Sequence, residues 1–396
     1  MTDPSTAAAS GSWRTYRHPR LLDGRMDSAV KPVNDLDERE TNRVSDPFLR
    51  HVPEELHSKK TGMNVLIVTD YDIAGQPSLL FRTLNEQTIH KARLVVAHGD
   101  YLAYDRDIVL DTDGTEEAID LVRHADFFHI GRCLVDIGPA VRWSDILTPR
   151  NVLIQYFGSE VRSAPEQTRR FHEETGILGL SGADWTMLEG ALFLYHVKVM
   201  LDFARVPPAD PPGSAIRIFH SPTSRGFKRT RLFLEAFAAL KDLFPIELVL
   251  VEGKSNRECL LEKKRCQITL DQISTGAYGL AAVESMAMGH AVLCGISNFW
   301  TSCFPENPIV YVTPETLKER LVYLIERPDE IVRIGEAGKV WARRYHDPRV
   351  VVRQYLGLYD LIMNGHRLMP GADAGLLKGK PWVASRPPSR SRTAGS

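Results

Sequence analysis

The residues best suited to hold an anionic ligand lie in segment 271–289, directly after a predicted strand. In this segment Gly276 and Gly279 precede a predicted helix, and the helix carries Glu284. Glycine lets a backbone approach a ligand closely, and the unbonded N–H groups at a helix start suit a diphosphate. A carboxylate further along the helix can accept hydrogen bonds from ribose hydroxyls. An ordinary strand-to-helix turn with an exposed glutamate has the same spacing, so the segment alone leaves both interpretations open.

A second segment, 220–230, contains Arg225 and Lys228 between a predicted strand and a predicted helix. Two cations at this position could neutralise a diphosphate leaving group without a metal ion. A solvated basic loop has the same composition. Because both segments follow strands of one predicted domain, their occurrence together favours the functional interpretation of each.

Two of the Asp-x-Asp pairs directly follow predicted strands and offer a different chemistry, in which a divalent cation holds the phosphates of a nucleotide. They are Asp70 with Asp72, and Asp111 with Asp113. Such pairs are short and frequent by chance, so a metal-dependent transferase based on Asp111 and Asp113 is kept as an alternative. The five cysteines show no Cys-x-x-Cys spacing, which argues against a zinc site or a disulfide framework.

Short β-branched apolar segments alternate with helical ones between residues 63 and 365, and this alternation predicts parallel sheets covered on both faces. The predicted strands span residues 64–69, 93–97, 107–110, 127–130 and 151–155, and, after the proline-rich segment 207–213, residues 215–219, 247–251, 266–270 and 291–294. The predicted helices include residues 77–86, 115–123, 230–243, 256–264 and 279–288. Two such arrays predict two Rossmann-like domains facing a cleft, where ligands bind beyond the carboxyl ends of the strands.

The composition narrows the function classes. The chain of 396 residues has 49 Lys and Arg against 50 Asp and Glu, a formal net charge of −1, which argues against a dedicated nucleic-acid binder. The sequence has no apolar run long enough to cross a membrane and no N-terminal signal pattern, so we expect a cytoplasmic protein.

Together these motifs resemble those of the GT-B glycosyltransferases, in particular the family-4-like group of retaining enzymes (glycosyl transferases group 1). The residues that carry the resemblance are Asp271, Gln272, Gly276, Tyr278, Gly279 and 283–289 in the first segment, His220, Arg225 and Lys228 in the second, and Gly335, Gly338 and His346 near the end of the chain.

The resemblance implies an α/β chain with the GT-B fold, in which the last helix crosses back to the N-terminal domain. With the polar composition of both ends, it divides the chain into a mostly disordered leader (1–62), an N-terminal acceptor domain (63–206), a C-terminal nucleotide-sugar domain (214–344), a crossover helix (345–365) and a disordered tail (366–396).

The resemblance further implies an enzyme that moves a sugar from a nucleotide-activated donor to a hydroxyl acceptor, with retention of configuration. No metal or other cofactor is expected besides the nucleotide sugar itself. The expected partners are that donor and an unidentified acceptor, without nucleic acid; peripheral contact with a membrane stays open.

The resemblance also implies roles for individual residues. The catalytic cations would be Arg225 and Lys228, which stabilise charge on the departing diphosphate. The donor would be bound by Glu284 (on the ribose), Asp271, Gly276, Tyr278, Gly279 and Leu280. The acceptor would meet Gly75, Gly158, Ser159, Glu160 and Arg162.

The sequence departs from the family's pattern at two positions. Gly276 stands where the family usually has a glutamate, and Phe157 stands where relatives often carry a histidine. Backbone groups near Gly276 could take over the contact with the donor sugar. A non-catalytic protein that binds a nucleotide, a sugar or a protein partner is therefore a further alternative.

Overall fold

Two separate parallel sheets form the framework of the protein, as the alternation of apolar segments predicts. The computed structural model describes residues 62–99, 102–104, 106–158, 161, 164–181, 194–273, 276–296 and 306–365. All strand pairs among these residues are parallel. Many of the central strand residues are buried, because helices cover a parallel sheet on both faces. The predicted α/β class with two Rossmann-like domains is confirmed.

The first sheet is built from the N-terminal half of the described chain. Its strands are β1 (Asn64–Thr69), β2 (Lys91–Val96), β3 (Ile108–Val109), β4 (Phe127–Gly131), β5 (Val152–Tyr156), β6 (Leu178–Ser181) and β7 (Leu194–His196). They lie in the order β3-β2-β1-β4-β5-β6-β7. The helices between them are α1 (Gln76–Gln87), α2 (Leu110–Asp113), α3 (Glu116–His124), α4 (Trp143–Ile146) and α5 (Pro165–Thr175).

The second sheet follows the proline-rich segment. Its strands are β8 (Ile216–His220), β9 (Ile246–Leu250), β10 (Ile268–Leu270), β11 (Ala291–Cys294) and β12 (Val310–Tyr311), in the order β12-β11-β10-β8-β9. The helices are α6 (Arg225–Lys228), α7 (Thr230–Ala238), α8 (Asn256–Lys263), α9 (Leu280–Met288), α10 (Leu317–Ile325), α11 (Pro328–His346) and α12 (Pro348–Met363). None of the helices in the described part of the chain combines the length and apolarity that a membrane crossing requires.

Several predicted elements are shorter in the structure than in the prediction, most clearly the third strand and the helix predicted for 230–243. The edge strand of the first sheet is reduced to β3, because Asp113 Oδ2 accepts the amide of Val109 at 2.8 Å and the chain turns into α2. The helix predicted for 230–243 ends at Ala238, where the carbonyl of Phe237 accepts two backbone amides and the chain tightens into turns.

Each sheet has a point at which the strand order reverses, and ligands bind at such points in open parallel sheets. In the first sheet this point lies between β1 and β4, and in the second it lies between β8 and β10. The loops that leave these four strands at their carboxyl ends hold Asp70, Arg132, Lys228 and Asp271. The topology therefore places the basic segment 220–230 of the second domain next to the glycine-containing segment 271–289.

The last helix, α12, packs on the first domain, where its apolar face joins the core formed by β1, β2 and α1. A buried polar network fixes this crossing. The Tyr359 hydroxyl lies 2.7 Å from His129 Nδ1, and His129 Nε2 lies 2.8 Å from Gln155 Oε1, which also accepts from the Tyr355 hydroxyl (3.2 Å). Burial lowers the pKa of His129 to about 4, so the ring is neutral near pH 7.

A second buried network joins two chain segments that pass between the domains. His346, at the end of α11, accepts the amide of Leu201 on its carbonyl (2.9 Å), and its Nδ1 lies 2.7 Å from the carbonyl oxygen of Val199. Because a carbonyl only accepts, Nδ1 carries a proton, and Nε2 of the same ring lies 3.0 Å from the Tyr278 hydroxyl. Trp341 Nε1 donates to the same hydroxyl oxygen (3.2 Å).

Close packing against α11 holds α9 in place. The structure leaves no room for a side chain at Gly335, because a Cβ there would lie 2.0 Å from the carbonyl oxygen of Gly289. At Gly338 a Cβ would lie 3.3 Å from Met286. The two backbones approach this closely because glycines occupy the contacting face of α11, and the contact determines where α9 lies.

Replacing Gly335 by alanine should destabilise the protein, because the added methyl group overlaps the Gly289 carbonyl and α9 must shift. We expect Gly335→Ala to lose about 1–3 kcal/mol of unfolding free energy, the usual effect of overpacking. The matched control is Gly213→Ala, where nothing lies within 4 Å of the added Cβ. Urea denaturation measures both variants, and equal stabilities would contradict this account of the α9–α11 contact.

Candidate functional site

Lys228 and Asp271 meet where the loops after β8 and β10 converge. Their ion pair is largely withdrawn from solvent, with the side chains 13% and 1% exposed. Asp271 Oδ2 also accepts the backbone N–H of Gly279 (3.2 Å). Burial alone would raise the pKa of Asp271, but the charge of Lys228 and the hydrogen bonds hold it below its ordinary value. The ionised carboxylate therefore ties the β8 loop to the start of α9.

The first turn of α9 presents backbone donors next to this ion pair. The amides of Leu280 and Ala281 have no hydrogen-bond partner among the described residues. A helix start carries a partial positive charge, and Lys228 adds a full charge beside it. The geometry thus brings together three of the predicted donor-site residues, Asp271, Gly279 and Leu280, and one of the two predicted catalytic cations.

Arg225, the other predicted catalytic cation, begins α6 and is exposed. Its guanidinium forms two hydrogen bonds with the carboxylate of Glu252, at 2.8 and 2.5 Å. Hydrogen bonding to Arg225 lowers the pKa of Glu252. Exposed ion pairs of this kind contribute little to stability. Arg225 can therefore exchange Glu252 for an anionic ligand at small cost.

Glu284, in the second turn of α9, is buried in the wall of the cleft and is only 5% exposed. One carboxylate oxygen pairs with the ammonium of Lys263, and the other accepts from Asn256 Nδ2 (2.9 Å). A carboxylate offers about four acceptor positions, so two protein donors leave capacity for the hydroxyl groups of a ligand. The interpretation of Glu284 as an exposed residue of an ordinary turn is therefore wrong.

Lys263 belongs to this site, although the sequence analysis did not identify it. Its side chain is fully buried, its ammonium donates to the carbonyl of Ala281 (3.2 Å), and it lies 5.1 Å from the centre of the Phe219 ring. A buried ammonium is costly unless it is paired, so Lys263 and Glu284 depend on each other. The available signal was the position of Lys263, three residues after the buried Leu260 on the same helix face.

A cleft lies beside Glu284, between the two domains, with about 400 Å³ of space that is partly open to solvent. Its lining from the second domain is Asn256, Leu260, Leu280 and Glu284; from the first domain and the connecting segment it is Ala74, Gly75, Gln76, Ser78, Leu79, Arg82, Tyr104, Met200, Leu201, Asp202, Arg205 and Val206. Tyr104 is a second residue that the sequence analysis did not identify. Its ring covers Gly75, where a Cβ would lie 2.5 Å from a ring carbon.

Two further predicted donor-binding residues, Gly276 and Tyr278, are not among the described residues that line this cleft. Gly276 has a φ of 69°, a left-handed conformation that favours glycine, and it pairs with Ile296 in a single parallel bridge. The Tyr278 ring is buried, and its hydroxyl bonds His346 and Trp341 inside the protein. That hydroxyl belongs to the network that holds the domain crossing together.

The structure describes only some of the residues predicted to meet the acceptor. Gly75 (φ 66°) precedes α1, and Gly158 (φ 117°) follows β5. Both positions lie beyond the carboxyl ends of strands of the first sheet, the edge on which the loop after β4 also lies. Ser159, Glu160 and Arg162 lie outside the described residues.

The Asp-x-Asp pairs are engaged with protein groups. Asp72 accepts from the hydroxyl and the amide of Ser78 (2.5 and 3.2 Å) at the start of α1. Asp111 pairs with His98 at 2.8 Å, and Asp113 bonds a backbone amide. Within the described ranges, no three His, Cys, Asp or Glu side chains are grouped as the ligands of a metal ion would be. The geometry gives no support to the metal-dependent alternative.

The comparisons with known proteins concern the fold. No protein-family model matches the chain, and no curated protein sequence matches it. Among solved structures, sucrose-phosphate synthase from Thermosynechococcus elongatus is similar at 12% identity and a TM-score of 0.53, over 76% of this chain and 100% of that chain. HepE from Anabaena in complex with UDP-glucose is similar at 11% identity and a TM-score of 0.53, over 75% of this chain and 98% of that chain. These likenesses confirm the predicted GT-B fold.

Removing the Lys263 ammonium should leave the Glu284 carboxylate buried and unpaired. We expect Lys263→Met to lose about 3–5 kcal/mol of unfolding free energy. The double variant Lys263→Met/Glu284→Gln should recover most of this loss, because it also removes the buried negative charge. Lys254→Met, at an exposed lysine paired with Glu262, is the matched control and should change little. Guanidinium denaturation of the three variants tests the coupling of Lys263 to Glu284. If Lys263→Met loses no more unfolding free energy than Lys254→Met, the coupling is refuted.

Proposed function

We propose that this protein is a glycosyltransferase that moves a sugar from a nucleoside-diphosphate donor to a hydroxyl acceptor. One observation carries the proposal: Lys228 lies beside the start of α9, whose first amides have no partner among the described residues, and Glu284, one turn further along α9, lines a cleft between two GT-B domains. This order matches a diphosphate followed by a ribose. The likeness to HepE, whose structure holds UDP-glucose, supports the same donor class.

The donor diphosphate would lie on Lys228 and on the amides of Leu280 and Ala281. An ammonium has three donor positions, so Lys228 can keep its bond to Asp271 and still bind a phosphate oxygen. Arg225 would add a second positive charge when it leaves Glu252. These groups need not rearrange greatly as negative charge grows on the diphosphate, which is how preorganised donors lower a barrier.

In the transfer step, the bond between the anomeric carbon and the diphosphate oxygen breaks, and its electron pair stays on the diphosphate. The acceptor oxygen forms the new bond to the anomeric carbon and loses its proton to the departing diphosphate on the same face. This route retains configuration, as the family resemblance implies, and Lys228 supplies the cation without a metal ion. Closure of the two domains would exclude water and so limit hydrolysis of the donor.

A thermal-shift panel of UDP, GDP, ADP and dTDP and their sugars, with and without EDTA, tests the donor class. A ligand at 100 times its Kd adds about 2.7 kcal/mol, which corresponds to a shift of several degrees for domains of this size. We expect one base to give such a shift, and EDTA to leave it unchanged. A shift that EDTA abolishes would contradict the metal-free mechanism, and no shift with any nucleotide would contradict the proposed function.

Lys228→Ala should reduce turnover of the accepted donor by about 100-fold or more, the usual loss on removing one such charge-stabilising donor. Because this change leaves Asp271 unpaired, the double variant Lys228→Ala/Asp271→Asn separates catalysis from stability and should be equally slow. The exposed Lys241 of the same domain provides the control variant, Lys241→Ala. Steady-state rates are measured below the melting temperature of each variant. If Lys228→Ala turns over the donor as fast as the wild type, Lys228 has no catalytic role.

A further inference from the structure

The positions of the phosphate and ribose groups determine where the base of a bound donor must lie. Lys228 and the start of α9 mark the diphosphate, and Glu284 lies about 6 Å further along α9, four residues at 1.5 Å each. Asn256, which donates to Glu284, and Leu260 on α8 line the same cleft as Glu284. In a nucleoside diphosphate the base follows the ribose, so the base falls in the cleft that these residues line.

An aromatic ring from the first domain also lines this cleft. Tyr104 lines the same cavity as Glu284, Leu260 and Leu280. The guanidinium of Arg205 lies over the ring, 5.8 Å from its centre, and Gly75 packs close to the ring carbons. Stacking on an aromatic ring is a sequence-tolerant way to bind any base, because every base has a π-face.

The loop that carries Tyr104 is tied to the second domain. The amide of Asn256, at the start of α8, donates to the carbonyl of Leu102 at 3.3 Å. Ala103, immediately before Tyr104, has a φ of 55°, a left-handed conformation that alanine adopts at an energetic cost. Such strain persists where the surroundings require it, and here it accompanies the turn of the Tyr104 ring into the cleft.

The phenol stays uncharged under any physiological condition. Burial, and then the charge of Glu284, raise the pKa of Tyr104 well above its ordinary value. The ring therefore adds no negative charge next to a ligand that is itself anionic. The remaining cleft wall is largely apolar, with Leu79, Leu201, Leu260 and Leu280 as its main side chains.

We propose that Tyr104 is the residue that stacks on the nucleobase of the donor, with Leu260 and Leu280 on the opposite side. The inference rests on the proposed function, because the position of the base follows from the diphosphate and ribose positions. It means that the first domain contributes directly to donor binding, so that a nucleoside diphosphate bridges both domains. Tyr104 would then select nucleoside diphosphates over diphosphates without a base.

Calorimetric Kd values for the nucleoside diphosphate that the wild type prefers test this inference. We expect Tyr104→Ala to bind it about tenfold or more weakly, and Tyr104→Phe to stay within about twofold, because the ring and not the hydroxyl makes the contact. Tyr323→Ala, at an exposed tyrosine of the second domain, is the matched control and should bind as the wild type does.

Tyr104→Trp provides a direct signal of stacking and does not depend on the stability of the alanine variant. Its added tryptophan fluorescence should be quenched by the nucleoside diphosphate and not by inorganic pyrophosphate, which has no base. Unchanged affinity in Tyr104→Ala, a Tyr104→Phe variant as weak as Tyr104→Ala, or no quenching in Tyr104→Trp would each overturn the role of Tyr104 while leaving the proposed function intact. If the wild type binds no nucleoside diphosphate, the proposed function fails and this inference fails with it.

Discussion

The clamp at His346 is the interaction on which the arrangement of the two domains depends. Its ring and carbonyl bond Val199 and Leu201, and through Tyr278 the same network reaches the segment that leads into α9. The chain passes between the domains twice, and the bonds of His346 to Val199 and Leu201 join the two passages. The position of the ligand loops relative to the first domain follows from this clamp, because α9 begins two residues after Tyr278.

Charge in the second domain is arranged around α9 in two paired sets. Lys228 with Asp271 lies at the start of the helix, and Lys263 with Glu284 lies one turn further on. Each pair is mostly or fully buried, so each carboxylate is already neutralised before a ligand arrives. The partial positive charge at the start of α9 then remains without a counter-charge among the described residues. This explains how a site with two carboxylates can still attract an anion.

The framework could be predicted from sequence because strand identity is a local property. β1 and β11 coincide with their predicted segments, since continuous β-branched runs between turn residues have few other uses. The loops with Lys228 and Asp271 could be placed side by side for the same reason. The contacts of Glu284 could not, because a glutamate at a helix start looks alike whether it is solvated or paired with a buried lysine on another helix.

Tyr104 illustrates a different limit of prediction. It lies in a loop without periodicity, and its neighbour in space, Glu284, is separated from it by most of the folded chain. Only the docking of the two domains brings them to one cavity, and nothing local encodes that docking. Lys263 was closer to detection, because it lies three residues after Leu260 and therefore on the same face of α8.

The crossing of α12 has a consequence for how the protein is made. The core of the first domain includes Tyr355 and Tyr359, so the second domain is in effect an insertion within the first. A ribosome releases β1 to β7 long before it releases the helix that covers them. Until then the apolar face of α1 and the buried polar groups of His129 and Gln155 have no partner from α12. The first domain must therefore complete its folding last, which gives nascent chains of this protein a prolonged need for protection from aggregation.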